Sequence, residues 1–519
     1  MTQDSTIKAR FLKLHGQRTE HLERARDCAK LTIPSLLPPE GTTQGSKLET
    51  PWQSLGARGV NFLANKLLLI LFPPNTPFFK LAMGNQIEGL LDSPNTPKGL
   101  KTEIEKALVT SERAVMSEVE TSTLRVPVGD GLLHAIVTGN GLLYMPDTGG
   151  CKSYPLDSYV VKRDPMGNIL EIIIKESVHP VALPEEVQDA VANAEKNADD
   201  TVDVYTYVKR MKKKWSVSQE VGDQEIPGTR GTYTLDNCPW LSVPWKLIRG
   251  EDYGRGLVEE YYGDLTSLEE LTKAIVLYSV AAAKILVMVN PNGAVSEDDI
   301  AHAKSGAVIT GNKDEVTILQ LDKYYDLRVA QETIADIKMR LEQAFLLTSS
   351  IQRDAERVTA EEIREMAKDL ENGLGGVYAS LSQTLQLPLV QRLMKIMTKQ
   401  KKLPNLPNLP KGTIKPMIIT GLEALGRGND LTKLSLFMGQ VQTLGPEAQM
   451  YINTDVLLTK LVNSLGIDAK DLLKSKEEVA QAQQIAQQQA MIANAVPDIV
   501  KGAMSNAQGQ TTTAGTTTS

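Results

Sequence analysis

The sequence predicts an α+β protein that is mainly α-helical. Long segments repeat apolar residues every three or four positions, as amphipathic helices do. Runs rich in β-branched and aromatic residues, joined by turn signals, are concentrated in the middle of the chain. Two helical segments of similar length also flank a short stretch of β-like pieces and turn residues. That arrangement predicts a pair of long packed helices with a small β tip.

The first third of the chain predicts helices and one strand. A charged helix is expected over residues 5–31, and a second helix begins at Thr50-Pro51, where a capping residue precedes a first-turn proline. Further elements are a strand at 78–83 and helices at 97–121 and 128–138. Trp52 is expected in the core, because tryptophan is usually buried in its own domain; an interface anchor is the alternative.

The middle of the chain predicts antiparallel hairpins. Residues 159–163 and 169–175 are joined by Asp164-Pro165-Met166-Gly167, a four-residue turn signal. Residues 202–210 and 215–221 form a second hairpin across three lysines, and residues 241–248 add a strand. Lysines at a hairpin tip are typical of a solvated turn.

The pattern becomes strongly helical after residue 264. Thr266-Ser267-Leu268-Glu269 matches a capping box at the start of the first long helix. Each long helix has a narrow apolar seam, and two helices bury only part of such faces against each other. A neighbouring subunit would cover the remainder. The expected subunit-interface residues are Leu271, Ile275, Tyr278, Ile334, Ile337 and Leu341.

Beyond the second seam, residues 349–358 are polar and break the pattern. Thr359-Ala360-Glu361-Glu362 matches a capping box, and the helix that follows runs to about residue 384. Gly373, Gly375 and Gly376 interrupt this helix, which indicates a kink or a close helix contact. Helices are also expected at 388–400, 431–444, 454–465 and 477–494, with a stiff linker at 403–410 and disorder at 508–519.

Composition and charge exclude several classes of function. The chain has 519 residues, of which 41% are hydrophobic and 23% charged, as in ordinary globular proteins. A net charge of -7 gives no overall attraction to phosphate, and 5% aromatic residues supply few stacking platforms for single strands. The three separated cysteines fit a reducing compartment and exclude a disulfide scaffold. The longest apolar run, residues 67–72, is too short to span a bilayer, so no membrane partner is expected.

Common catalytic motifs are missing from the sequence. It has no Gly-Lys dipeptide for a Walker A loop, no H-E-x-x-H and no G-x-S-x-G elbow. Gly254-Arg255-Gly256 and Gly426-Arg427-Gly428 lack the third glycine of a dinucleotide fingerprint, so they indicate turns. Asp298-Asp299 indicates a helix first turn or a solvated loop more than a metal site. No catalytic residue, metal or cofactor is predicted, and a structural or binding role is favoured.

Several longer motifs occur in one order along the chain. They are Thr50-Pro51-Trp52-Gln53, Gly56-Ala57-Arg58-Gly59, Tyr253-Gly254-Arg255-Gly256, Glu259-Glu260-Tyr261, Val289-Asn290-Pro291, residues 356–364, Leu374-Gly375-Gly376-Val377-Tyr378 and Thr420-Gly421-Leu422-Glu423-Ala424. Together with the helix pair around a β tip, they resemble the portal, or head-to-tail connector, family of short-tailed double-stranded DNA phages. The resemblance covers residues 24 to about 473, and motifs in a shared order are more specific than any single one.

The resemblance implies a homo-oligomeric ring of twelve subunits at one capsid vertex of the virion. Viral double-stranded DNA is packaged and ejected through such a ring, which also joins the head to the tail. The ring has no enzymatic activity of its own, because a separate packaging ATPase, the large terminase subunit, drives packaging. Other implied partners are the tail adaptor, the major capsid and scaffolding proteins and internal core proteins, with assembly in the host cytoplasm.

The resemblance also divides the chain into named parts. The wing takes residues 1–264, the stem helices 265–289 and 323–347, and the clip 290–322 between them. A channel loop follows at 348–358, and a long wing helix with its following segments at 359–420. The crown, the C-terminal barrel helix and the disordered tail are expected at 421–475, 476–507 and 508–519.

Candidate site residues follow from these parts. Expected DNA-channel residues are Ser350, Gln352, Arg353 and Arg357 of the loop and Glu332, Asp336 and Arg340 of the second stem helix. For the three stem residues, ordinary i,i+4 surface pairs are an equal alternative. Expected docking residues for the motor and the adaptor are Asn292, Glu297, Asp298, Asp299 and Lys304.

Two other functions stay open from the sequence. A tail adaptor or nozzle subunit is one, although adaptors are generally shorter and lack a long helix pair around a β tip. A metal-dependent nuclease that uses Asp298 and Asp299 is the other, and the missing motifs count against it.

Overall fold

The structure is a computed structural model that describes residues 6–43, 45–73, 78–83, 100–185, 187–188, 201–283, 286–319, 324–347, 370, 372–403, 414–418, 436–441, 443 and 457–458. The chain divides into two compact units, residues 1–424 and 425–519. In the second unit, the described residues include a helical segment at 436–441, where Val441 is buried. All elements below belong to the first unit.

The predicted α+β class is confirmed by a set of helices and four sheets among the described residues. The helices are α1 (Ile7–Gln17), α2 (Thr19–Lys30), α3 (Leu55–Leu71), α4 (Leu100–Thr121), α5 (Arg125–Thr138), α6 (Leu257–Glu260), α7 (Tyr262–Ala282), α8 (Glu297–Ala301), α9 (Tyr324–Ala344), α10 (Gly376–Leu381) and α11 (Leu387–Lys399). The strands are β1 (Phe79–Met83), β2 (Asn140–Tyr144), β3 (Lys152–Tyr154), β4 (Tyr159–Arg163), β5 (Ile169–Val178), β6 (Val202–Arg210), β7 (Lys214–Val221), β8 (Gln224–Glu225), β9 (Gly231–Thr234), β10 (Trp240–Pro244), β11 (Leu286–Val289), β12 (Val316–Leu319) and β13 (Ile414–Ile418).

Both predicted hairpins are present in one six-stranded antiparallel sheet. Its strand order is β4-β5-β6-β7-β8, and β9 also pairs with β7. A second sheet has the order β10-β2-β3, while β1 pairs with β13. The strand predicted at 241–248 ends earlier, at Pro244. Beyond it the chain turns, and Lys246 makes an isolated bridge to Arg255.

The main core lies where α2, α3 and α5 meet the β10-β2-β3 sheet. Leu63 and Leu67 of α3 are fully buried there with Leu132 and Ile136 of α5. Each such side chain contributes about 1.5–3 kcal/mol by leaving water. The helix α5 therefore serves as the central support for the loops that follow β2 and β10.

The charged helix predicted at 5–31 is interrupted at Arg18. Its backbone leaves the helical region (φ -110°, ψ 9°), and α1 and α2 form on either side. The buried Arg18 guanidinium donates to the carbonyl oxygens of Leu156 (2.6 Å) and Asp157 (3.1 Å) and lies 5.6 Å from the centre of the Tyr253 ring. Tertiary partners of this one side chain thus override the continuous helical pattern.

The helix predicted to begin at Thr50-Pro51 begins instead at Leu55. Ser54 is the N-cap residue, and the side-chain oxygen of the preceding Gln53 accepts from the Gly56 N–H at 2.8 Å. The preceding backbone N–H groups of Trp52 and Gln53 donate to the Glu269 carboxylate. The Trp52 side chain is 47% exposed, so its predicted place in the core is wrong.

The pair of long helices with a β tip is present. The helix α7 begins at Tyr262, four residues before the predicted capping box. That prediction is wrong, because the Thr266 and Ser267 hydroxyls donate to carbonyls of the preceding turn inside the helix. The first stem helix was also predicted too long. It ends at Ala282, and Leu286–Val289 is the strand β11, which pairs with β12.

The C-terminal end of α9 is held against α3. Leu346 has a left-handed backbone (φ 54°), and the N–H groups of Leu346 and Leu347 donate to Gln343 and Glu342, as in a Schellman cap. Phe345 is buried on Gly59 of α3, where a Cβ would lie 2.6 Å from the aromatic ring. This contact fixes the base of the helix pair on the main core.

The predicted glycine interruption after residue 370 has two separate causes. A Cβ on Gly373 would lie 2.8 Å from the Leu346 side chain, which is a close approach. Gly375 has φ 53°, and α10 begins immediately after it. The stretch 348–369, which holds the predicted channel loop and the capping box at Thr359, lies outside the described residues.

Candidate functional site

The Tyr253-Gly254-Arg255-Gly256 motif forms a tight backbone crossing. The Asn140 side chain accepts from the Gly254 N–H at 2.8 Å and donates to the Gly254 carbonyl at 3.0 Å. A Cβ on Gly139 would lie 2.3 Å from the Gly254 oxygen, and one on Gly254 would lie 2.6 Å from the Gly139 oxygen. The glycines are therefore needed for two loops to touch. The predicted turn is wrong, because Arg255 pairs with Lys246 in an isolated β-bridge.

The arginine of this motif connects two acidic side chains. Arg255 donates to Glu251 and Glu259, each at 2.7 Å. The hydrogen bond from Arg255 lowers the pKa of the Glu251 carboxyl and holds it ionised. The adjacent cavity, lined by His21, Arg24 and other residues, measures about 10 Å³, which is space for about one water molecule. This motif therefore serves packing.

The tip, defined here as residues 286–319, presents the predicted docking residues. Asn292, Glu297, Asp298, Asp299 and Lys304 are all exposed on it. Asp299 accepts from the Ser296 N–H and hydroxyl, while Ser296 accepts from the Asp299 N–H, which completes a capping box at the start of α8. Asp298 is 93% exposed in the same turn. The helix-first-turn interpretation of this acidic pair is confirmed.

Glu315 organises the tip and was missed by the sequence analysis. Its carboxylate accepts from the N–H groups of Ala294 (2.9 Å) and Val295 (3.3 Å), and its carbonyl accepts from Asn290 (2.9 Å). A Cβ on Gly293 would meet this carboxylate at 2.9 Å. The sequence offered one feature from which this role could have been predicted. Glu315 is an acidic residue directly before a predicted strand, and an Asn-Pro-Asn-Gly turn precedes it in the same segment.

The predicted stem residues share the exposed side of α9. Arg340 pairs with Asp264 of α7 at 2.9 Å, and Glu332 pairs with Arg328 at 3.1 Å. Exposed pairs of this kind contribute about 0–1 kcal/mol each. The structure does not join Glu332, Asp336 and Arg340 into one chain of pairs, although it places them along one surface.

Two of the predicted subunit-interface residues pack inside the subunit. Ile337 and Leu341 are buried together with Leu265 and Leu268 of α7 in a single chain. The interface prediction for Ile337 and Leu341 is wrong, because a side chain already covered within one chain offers a neighbour no surface. Their burial instead holds α7 against α9.

The other predicted subunit-interface and channel residues stay predictions. Leu271, Ile275, Tyr278 and Ile334 are half-buried on the same helix pair. Ser350, Gln352, Arg353 and Arg357 of the predicted channel loop lie outside the described residues, as do nearly all of the predicted crown and the barrel helix.

Neither a metal-binding cluster nor a membrane-spanning helix is present in the described part of the chain. It contains no group of three or more His, Cys, Asp or Glu residues placed to hold a metal ion. Among the same residues, no helix is both long and apolar enough to cross a bilayer.

An α+β body that carries a helix pair with an exposed β tip is the architecture expected of a phage portal subunit. The family model for the bacteriophage head to tail connecting protein matches residues 4–473. The chain belongs to this family, and the portal function follows from that membership. Portal proteins are virion components of the capsid vertex.

The similarity to individual relatives extends over nearly the whole chain. The portal protein of Escherichia phage T7 is 39% identical over 492 residues, which is 93% of this chain and 90% of that protein. The portal protein of Enterobacteria phage T3 is 41% identical over 481 residues, or 91% and 88% of the two chains. That of Pseudomonas phage phiKMV is 32% identical over 510 residues, or 93% and 96%. Among solved structures, a chain from the neck of an empty gene transfer agent particle has a TM-score of 0.36 and 11% identity, covering 80% of this chain and 90% of that one.

Proposed function

We propose that twelve copies of this chain form a ring at one vertex of the capsid. Viral double-stranded DNA enters the head through the ring during packaging and leaves through it during ejection. The observation that carries the proposal is the match of residues 4–473 to the connector family, with relatives that share 39% identity over 93% of the chain. The match spans the predicted wing, stem, clip and channel loop and nearly all of the predicted crown. The copy number of twelve rests on the family resemblance.

The tip is the docking surface for the packaging ATPase and the tail adaptor in this proposal. It extends from the far ends of α7 and α9, while Phe345 at the near end is anchored in the core. Val308 and Ile309 are exposed on the tip, and apolar side chains in the open favour a partner surface. Asp298 and Lys304 add exposed charges that steer such a partner. The wing contacts the capsid and scaffolding proteins, and internal core proteins stack on the head side.

The channel passes DNA without holding it. Twelve subunits at -7 give a formal ring charge of -84, so the ring as a whole repels phosphate. Arg353 and Arg357 stand beside Asp354 and Glu356 in the predicted channel loop. Such mixed signs give weak phosphate contacts, whereas a continuous basic sleeve would bind DNA tightly at low salt. Assembly takes place in the host cytoplasm.

The chain has no catalytic role in this proposal, and the energy for packaging comes from the separate ATPase. Electron microscopy of the purified chain tests the ring directly, with twelve-fold projections around a central hole as the expected result. Assays of ATP hydrolysis and of plasmid cleavage with Mg²⁺ should give no activity. A chain that cleaves DNA, or that assembles only on a preformed ring of another protein, would overturn the proposal in favour of a nuclease or an adaptor.

A further inference from the structure

Trp52 stands apart from the other tryptophans of the chain. Its side chain is 47% exposed, whereas Trp215, Trp240 and Trp245 are at most 7% exposed. Its backbone is nevertheless fixed, because the Trp52 N–H donates to one Glu269 carboxylate oxygen at 2.8 Å and the next N–H donates to the other at 3.1 Å. A large aromatic side chain held in solvent on a fixed backbone is typical of a binding hot spot.

Glu269 places Trp52 beside an exposed apolar stripe of α7. At roughly 100° per residue, Tyr262, Glu269, Lys273, Val276 and Val280 lie along one side of the helix. Tyr262, Val276 and Val280 are all exposed large apolar side chains. Around the helix axis, this exposed stripe is rotated forward, in the direction in which the chain winds, by about a third of a turn from the stripe that packs on α9. We call these residues, with Trp52, the α7 face.

A second exposed stripe lies on α9. It consists of residues that recur every three or four positions: Val329, Glu332, Asp336 and Arg340. Around the helix axis, this stripe is rotated backward, against the direction in which the chain winds, by about a third of a turn from the stripe that packs on α7. Met339, also exposed, borders it. We call this the α9 face. The helices α7 and α9 run antiparallel, so a forward rotation on one and a backward rotation on the other lead to opposite sides of the pair. The α7 face and the α9 face therefore lie on opposite sides of the helix pair.

Contacts at both ends of the helix pair fix which residues of α7 and α9 lie at the same position along the helix axes, which we call their height. Asp264 of α7 pairs with Arg340 of α9 near the core, and Leu286 pairs with Leu319 in the tip. Lys273 is nine residues beyond Asp264, and Glu332 is eight residues before Arg340, so the two are level to within one residue's rise of about 1.5 Å.

Counting residues along the two helices from the Asp264–Arg340 pair in the same way also shows which apolar residues lie at the same height. Val276 is level with Val329, and Glu269 with the attached Trp52 is level with Asp336. Rotation about a ring axis that runs along the helices keeps every residue at its height. A head-to-tail contact would therefore set lysine against glutamate and valine against valine in neighbouring copies. It would also set Asp336 opposite Trp52 and Glu269, whose carboxylate oxygens already accept two backbone N–H groups.

We propose that Trp52 is an intersubunit anchor that packs on residues 336–340 of the next copy of this chain. This inference rests on the proposed ring and names a contact within it. The receiving segment offers the exposed thioether of Met339 and the guanidinium of Arg340, which are both favourable partners for an indole ring. Glu269 is a positioning residue, since it holds the backbone of Trp52 at the required height.

Photo-crosslinking tests which surface covers Trp52. The probe is p-benzoylphenylalanine incorporated at position 52 of the full chain, irradiated in the assembled ring and mapped by mass spectrometry. The expected product joins two copies, with the adduct within residues 336–340. Adducts confined to the same chain, to a different protein or to another segment of the neighbour would overturn the inference.

Substitution of the tryptophan gives an independent readout. Trp52→Ala should keep its circular dichroism spectrum, because the side chain contributes little to the core, and should raise the ring dissociation concentration at least about tenfold. Met166→Ala is the matched control, since Met166 is 86% exposed at the β4–β5 turn, away from the pair. A Trp52→Ala ring that dissociates at the wild-type concentration overturns the anchor but leaves the ring intact. A wild-type chain that forms no ring overturns the proposed function instead.

Discussion

His134 of α5 is a buried histidine whose environment penalises its charged form. Its side chain is 7% exposed, and Nδ1 has no hydrogen-bond partner among the described residues. Burial lowers its pKa from 6.5 to about 4. Between pH 6.5 and 4 the unfolded chain therefore binds a proton that the folded chain does not, and the free energy of unfolding falls as the pH falls.

We predict that this one group destabilises the fold by about 3 kcal/mol near pH 4 relative to pH 7. His134→Leu should remove that part of the pH dependence, because leucine has no proton to gain. Urea unfolding of wild type and variant at pH 7 and pH 4.5 measures the difference. His302→Gln is the control, since His302 lies exposed on the tip. Parallel pH curves for wild type and His134→Leu would contradict the prediction.

Among the structural elements, the loop before β2 and the loop at residues 253–256 can cross only because both carry glycine, which has no Cβ atom, at the point of contact. Gly139 has φ 79°, and its Cβ would lie 2.3 Å from the Gly254 carbonyl oxygen. Gly150 has a similar φ of 85° with nothing within 4 Å of its Cβ position. The two glycines therefore share the same backbone strain on substitution and differ only in the close approach.

We predict that Gly150→Ala lowers the free energy of unfolding by about 1 kcal/mol, the usual cost of a left-handed alanine. Gly139→Ala should cost at least about 2 kcal/mol more, because the loops must separate and the Asn140 hydrogen bonds weaken. Denaturant unfolding of both variants measures the difference. Equal destabilisation would mean that the crossing adapts to an added methyl group.

The tip is an element whose removal should leave the body intact. We predict that replacing residues 292–305 with a short Gly/Ser linker preserves the folded body of the subunit and its melting temperature, because the main core has no contribution from this stretch. The variant should fail to bind the packaging ATPase or the adaptor in pull-down assays. A matched control replaces the exposed hairpin turn 211–213 in the same way. Undiminished DNA packaging by the tip variant would remove the docking assignment.

Elements defined by local pattern were predictable from the sequence. The hairpins β4–β5 and β6–β7 and the long helices α7 and α9 follow the apolar periodicity, which burial on one side imposes. The hairpins and the long helices are determined by residues close to one another in the sequence, which is why the sequence predicts them.

Elements decided by distant partners were not predictable. Arg18 breaks the first helix because carbonyls some 140 residues away accept its guanidinium protons. Trp52 is exposed, with its backbone held by Glu269 far along the chain, whereas composition alone assigns tryptophan to a core. Ile337 and Leu341 have the periodicity of a seam, but only packing shows that the subunit itself covers them.

At the scale of the whole molecule, the ring depends on contacts that repeat at every subunit. On the α7 face Lys273 is exposed, and on the α9 face Glu332 is exposed at the same height. Each subunit of a head-to-tail ring would make this pair twice, once with each neighbour. A single exposed pair contributes about 0.2–1 kcal/mol, but the effect recurs around the ring.

We predict that Lys273→Glu and Glu332→Lys each raise the ring dissociation concentration, because every interface then has two like charges. Mixing equal amounts of the two variants should restore assembly. In an alternating ring, Glu at 273 meets Lys at 332 and Lys at 273 meets Glu at 332, and an even number of subunits closes with every interface matched. Native mass spectrometry of the mixture, with one variant isotopically labelled, measures both the recovery and the alternation. If each variant instead assembles like wild type, or if mixing gives no recovery, Lys273 and Glu332 do not meet across the subunit boundary. The α7 and α9 faces would then not be in contact, and the ring would have to close through its wings.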